Sequence, residues 1–193
     1  MRLFLSSQFR EVKDKYAELN WGGKTVAVIP TAGDLYDSAP WIDGDKQALV
    51  ELGLQIEDYD IKEKTEEEIY AYLKTKDAIF VAGGNTFYLL YHARLSGFDK
   101  ALARLVDEKI YIGSSAGSVL VGPSIEPTGS MEKKEQAPAF DDYRGLGFVD
   151  FIVVPHANDP KYGPLGRQIK EEWIGTYNFV IISDDQAMVV QNW

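Results

Sequence analysis

A chain of 193 residues, 45% hydrophobic and 26% charged, has the size and composition of one globular domain spanning residues 1–193. Its net charge of −10 opposes binding to a polyanion, and Lys133-Lys134 is flanked by Glu132 and Glu135, so no nucleic-acid partner is expected. The lack of cysteine excludes disulfides, thiolate catalysis and cysteine–metal sites.

The first apolar run, Leu3–Leu5, is too short for a signal peptide, and charged residues follow from Arg10. It reads as a strand, and Gln8–Glu18 as a charged amphipathic helix. Thr25–Ile29 is the next strand. A helix over Trp41–Leu52 opens after Asp37-Ser38-Ala39-Pro40, a cap-and-proline start. Strand Gln55–Asp58 leads to a helix over Thr65–Thr75, where Thr65 and Glu68 stand at capping-box spacing. Strand Ala78–Val81 precedes a helix over Thr86–Arg94, and helix Lys100–Glu108 precedes strand Ile110–Ile112. Pro123–Gly145 is rich in proline, glycine and charge and reads as a long loop, either one that covers a site or a merely flexible insertion. Strand Phe151–Val154, helix Leu165–Trp173 and strands Phe179–Ile182 and Ala187–Gln191 complete the chain. The runs Val26-Ala27-Val28-Ile29 and Phe151-Ile152-Val153-Val154 do not alternate with polar residues, as befits strands buried on both faces of a parallel sheet. Repeated strand–helix–strand units predict an α/β three-layer sandwich around a mostly parallel, doubly wound sheet. No segment has the length of a membrane span, so a cytoplasmic protein without a membrane partner is expected. Oligomeric state is left open.

In an open parallel sheet, ligands gather beyond the carboxyl ends of the strands, and three segments stand there. Gly113-Ser114-Ser115-Ala116-Gly117 is a Gly-x-Ser-x-Gly frame between an apolar strand and Val119-Leu120-Val121, the signature of a sharp strand-to-helix turn with a nucleophilic serine at its corner. The amide of Ala116 opens the helix and is a candidate oxyanion donor. A capping serine or a phosphate-binding turn is the plain alternative. Gly83-Gly84-Asn85-Thr86 follows Val81 and offers a second oxyanion amide, from Gly84 or its neighbour, with Asn85 as a substrate contact and Asn85 or Thr86 as a helix cap. Pro155-His156-Ala157-Asn158 follows the Phe151–Val154 strand. A serine needs a base, and neutral imidazole suits that task near neutral pH. The only other histidine, His92, falls in a helix beside Tyr88 and Tyr91 and reads as structural. With two separated histidines and no cysteine, a metal site is not expected. The carboxylate that orients His156 is sought among Glu126, Glu132, Glu135, Asp141 and Asp142, between serine and histidine.

These segments, in this order, resemble the dipeptidase E (aspartyl dipeptidase) and cyanophycinase family of serine peptidases. The similarity extends to Ile29-Pro30-Thr31-Ala32 and Gly145-Leu146-Gly147-Phe148 and covers most of the chain. It implies a fold like the class I glutamine amidotransferases and hydrolysis of small peptides without metal or cofactor. It matches Ser115 to the nucleophile, His156 to the base, and the amides of Gly84 and Ala116 to the oxyanion hole. The aspartate that serves as third triad member in dipeptidase E aligns with Ser130. Relatives with glutamate in that role make Glu132 the first choice and Glu126 the second. The family's carboxylate-binding arginine lies a little beyond the histidine, where Arg167 and Lys161 are the available cations, and the match is not clean. The expectation is a serine exopeptidase of small peptides. Three other readings remain: an esterase or amidase with the same triad, a non-catalytic ligand-binding relative, and a flavodoxin-like nucleotide binder. The last lacks a phosphate-loop lysine.

Overall fold

The computed structural model describes residues 2–15, 22–105 and 107–191. Its central sheet has six strands in the order β3-β2-β4-β5-β1-β8. These are β1 (Arg2–Ser6), β2 (Thr25–Ile29), β3 (Gln55–Asp58), β4 (Ala78–Val81), β5 (Ile110–Ser114) and β8 (Ala187–Gln191). All neighbouring pairs are parallel except β1 with β8.

Strand alternation divides the core into two layers. Leu3, Leu5, Ala27, Ile29, Ile79, Val81 and Tyr111 face one cluster, and Phe4, Val26, Val28, Ala78, Phe80 and Ile112 face the other. Both sets are at most 2% exposed, so the unbroken apolar runs reflect burial on both faces. The first layer is covered by α3 (Glu66–Lys74), α4 (Thr86–Ser96), α5 (Phe98–Leu105) and α6 (Ala116–Leu120). The second is covered by α1 (Phe9–Val12) and α2 (Pro40–Glu51). The Thr65 capping box is present, with Thr65 accepting from the Glu68 amide and the Glu68 carboxylate accepting from the Thr65 amide.

The helix expected over Gln8–Glu18 is one turn, α1, followed by a 3-10 turn through residue 15; its remainder lies outside the described residues. The strand β6 (Phe151–Val154) is buried as expected, yet it is not a strand of the central sheet. It pairs in parallel with β7 (Asn178–Ile181) in a separate two-stranded sheet. The free edge of β1 is taken by β8, which returns antiparallel, so the large sheet closes at β8. The segment 123–145 is an irregular loop with short 3-10 turns at Glu126–Ser130 and Lys134–Gln136, and α7 (Tyr162–Glu172) follows β6. Among the described residues no helix is long and apolar enough to cross a membrane.

Candidate active site

Ser115 sits between β5 and α6 with φ 48° and ψ −108°, a conformation that side chains rarely adopt. Such a residue costs about 1–3 kcal/mol and persists only where its surroundings fix it. Here the fixing is dense. The Ser115 amide donates to the Ser6 carbonyl at 3.0 Å, and the amides of Ser118 and Val119 donate back to the Ser115 carbonyl at 2.8 and 3.0 Å. Ser118 is buried and its hydroxyl reaches the carbonyls of Ser6 and Gly113, tying the elbow to β1 and β5. The flanking glycines are required by space. A Cβ on Gly117 would stand 2.1 Å from the Val81 carbonyl oxygen, and one on Gly113 would stand 2.8 Å from the Gly117 backbone.

The elbow presents Ser115 Oγ 2.9 Å from His156 Nε2. The opposite ring nitrogen, Nδ1, lies 2.6 Å from Asp184 Oδ1. Asp184 belongs to the turn between β7 and β8. Its amide donates to Asn158 Oδ1 at 2.9 Å, which ties that turn to the segment carrying His156. Ser7, just past β1, touches the same pair, since its hydroxyl donates to Asp184 Oδ1 at 2.7 Å and accepts from the His156 amide at 2.8 Å.

These groups open into a cavity of ≈ 340 Å³ lined by Arg10, Tyr36, Gly84 and Glu132 as well as the serine and histidine. Trp41 donates its indole N–H to the Gly83 carbonyl at 3.0 Å. Because the peptide is trans, the Gly84 N–H then points away from Trp41.

Five of the residues expected at the site require correction. Glu132, the first choice for the acid beside the histidine, binds elsewhere. Its carboxylate accepts from the Thr86 amide at 2.5 Å and from the Thr86 hydroxyl, at the N-terminus of α4. Glu126 is exposed in the loop and makes no contact with the imidazole. Asp184 occupies the position beside Nδ1. The carboxylate was expected between serine and histidine, whereas Asp184 lies 28 residues past the histidine. Its signal was available: Ser183-Asp184-Asp185 follows a strand parallel to the one that carries His156, so it emerges on the same rim. Asn85 is 1% exposed and spent on structure, with its Oδ1 capping the Tyr88 amide and its Nδ2 donating to the Lys133 carbonyl. Arg167 is exposed on α7 and does not line the cavity, and Lys161 is exposed over the Tyr162 ring. Among the described residues, Arg10 is the lysine or arginine that does line it.

Burial pushes the Glu132 carboxyl up to about 7, against hydrogen bonds from Thr86 and Phe87 that favour the anion. No lysine or arginine is paired with it among the described residues. Protein packs closely around the side chain, which is reached only partly, through the cavity. No cluster of three or more histidine, aspartate or glutamate side chains is placed to hold a metal among the described residues.

A serine held in this strained corner, with an imidazole and a carboxylate in line behind it, is the architecture of a hydrolase, and the comparisons agree. Residues 4–193 match the model of peptidase family S51. The chain belongs to peptidase family S51. It is 35% identical over 192 residues to the peptidase Lmo0363 of Listeria monocytogenes, covering 98% of this chain and 94% of the relative. It is 33% identical over 142 residues to a Drosophila melanogaster protein named probable alpha-aspartyl dipeptidase, covering 72% of this chain and 55% of that one. A crystal structure of a candidate peptidase E protein from L. monocytogenes superposes with a TM-score of 0.90 at 35% identity, covering 98% of this chain and 93% of that one. The family bears out the resemblance read from the three motifs, and the fold is the mostly parallel α/β architecture expected. As an S51 protein the chain is a peptidase E-like peptide hydrolase.

Proposed function

We propose that this S51 protein is a serine exopeptidase of small peptides, with Ser115 as nucleophile, His156 as base and Asp184 as the carboxylate that orients it. The observation that carries this reading is the unbroken line from Ser115 Oγ through Nε2 at 2.9 Å and Nδ1 to Asp184 at 2.6 Å. With the proton on Nδ1 donated to Asp184, Nε2 is left as the acceptor facing the serine. Ser115 Oγ attacks the scissile carbonyl as its proton passes to Nε2. The tetrahedral oxyanion is met by the amides of Gly84 and Ala116, and one such donor is worth about 3–4 kcal/mol of transition-state stabilisation. His156 then gives its proton to the leaving amine as the C–N bond breaks. Water attacks the acyl-enzyme by the same route in reverse and releases the acid.

The exopeptidase mode is supported by Glu132. It puts a carboxylate with no cation of its own into a small cavity beside the nucleophile, a fitting partner for the protonated amino terminus of a short peptide. For a peptide with an acidic first residue, the cation at hand is Arg10 rather than Arg167.

The test is turnover of a panel of di- and tripeptides, with fluorophosphonate labelling as a second readout. Ser115→Ala is expected to lower kcat/KM by about 10⁴-fold or more and to abolish labelling. Unchanged turnover by that protein overturns the assignment.

A further inference from the structure

The proposed reaction uses three side chains, and Ser7 touches two of them. Ser7 is fully buried, immediately after β1 and far in sequence from the motifs. Its single hydroxyl does two things. The hydrogen is donated to Asp184 Oδ1 at 2.7 Å, and a lone pair accepts the His156 amide at 2.8 Å. The same oxygen lies 3.2 Å from His156 Nδ1, alongside the bond from Nδ1 to Asp184.

Each contact answers a specific need. His156 has φ 64°, a left-handed conformation that costs a non-glycine residue energy and that local strand geometry does not hold. The Ser7 acceptor gives its amide a buried partner in that conformation. Asp184 stands on a turn, on a different chain segment from the histidine, and a carboxylate on a turn has rotational freedom. A second donor to the same oxygen that receives Nδ1 removes that freedom. The hydroxyl therefore ties the base and its orienting acid to the end of β1. Ser6, the preceding residue, accepts the Ser115 amide and so ties the nucleophile there too.

We propose that Ser7 is a positioning residue for catalysis, locking the His156 backbone and the Asp184 carboxylate into one arrangement relative to Ser115. The proposal rests on the serine-peptidase reading. Ser7 touches no reacting atom, so its removal should slow the chemical step and leave substrate binding alone.

The experiment compares the wild-type chain with Ser7→Ala and Ser7→Thr, after thermal unfolding confirms that each is folded. Ser7→Ala is expected to lower kcat roughly 10- to 100-fold, the scale of a small misplacement of catalytic groups. KM should stay within about twofold. Ser7→Thr restores the hydroxyl and should recover most of the loss. The second readout is the downfield proton resonance of His156 Nδ1–H. It is assignable because His92 is the only other histidine and His92→Gln removes its signal. The resonance should persist in Ser7→Thr and move upfield or broaden in Ser7→Ala. Ser7→Ala with unchanged kcat, or with an unchanged resonance, overturns the proposal. Failure of the peptidase reading looks different: the wild type itself neither cleaves peptides nor labels at Ser115. The resonance still decides the role of Ser7 in that case.

Discussion

Two carboxylates stand near Ser115, and they are held in opposite ways. Asp184 faces an imidazole, accepts hydrogen bonds from Nδ1 and from Ser7, and keeps a fifth of its side chain exposed. Glu132 faces a helix terminus, accepts among the described residues from neutral donors on α4, and burial pushes its carboxyl up to about 7. The first lies on a tight turn between two strands, the second on a long irregular loop. The difference teaches that a carboxylate's role follows from what sits against it in the fold. Nearness in sequence to the serine says little, because the strands return to the same rim in an order of their own.

The sharpest way to break this comparison is to neutralise each acid in turn. Asp184→Asn leaves a hydrogen-bonding group against Nδ1 but favours the wrong imidazole tautomer. A fall in kcat of about 10³–10⁴-fold is expected, as for loss of the carboxylate in other serine triads. Fluorophosphonate labelling of Ser115 should slow in parallel. If Asp184→Asn retains full kcat while Glu132→Gln is inactive, the roles assigned to the two carboxylates are exchanged and the proposed triad is wrong.

Glu132→Gln should have a smaller and different effect. It keeps an acceptor for Thr86 but removes the charge offered to an amino terminus. The preference for a free peptide over its N-acetyl form, measured as a ratio of kcat/KM, is expected to fall by about 10-fold, the cost of one exposed-to-partly-buried ion pair. The preference should also depend on pH. Glu132 is charged above about 7, and a peptide amine stays protonated below about 8. The free-amine preference of the wild type should therefore rise from pH 6 to about 7.5, and that of Glu132→Gln should not. An equal ratio in both proteins removes Glu132 from substrate recognition.

The contrast also explains what could be read from the sequence. Every strand was legible to within two residues, most plainly runs such as Val26-Ala27-Val28-Ile29, which are buried on both faces and carry no competing pattern. Ser115 was legible because its crowded turn admits only small flanking residues, so the physical constraint is written in adjacent letters. His156 was legible as the scarce imidazole at a strand end. Asp184 and Ser7 were not found, because aspartate and serine are common at turns and their significance is created by packing across the sheet. The side-chain orientation of the 123–145 loop was equally hidden. Loop backbone has no periodicity, and Glu132 differs from its exposed neighbours Glu126 and Glu135 only in what surrounds it.

A third acid sharpens the comparison from the side of stability. Asp45 on α2 is 2% exposed, accepts the Arg10 amide at 3.0 Å and bonds Ser114, next to Ser115. Burial raises its carboxyl to about 6, and the bonds from Ser114 and Arg10 only partly offset that. In the unfolded chain the carboxyl titrates near 4, so folding favours the protonated form. Its contribution to stability is therefore full below pH about 4 and is lost as pH rises through about 6. Asp45→Asn mimics the protonated state at every pH. It is expected to match the wild type at pH 4 and to exceed it at pH 8 by on the order of 2 kcal/mol, several degrees in Tm. Thermal unfolding across that range checks it. If Asp45→Asn and the wild type lose stability in parallel from pH 4 to 8, burial of Asp45 is not what sets its protonation. The distinction between an acid held by a base and acids held by neutral donors would then fail at its simplest test.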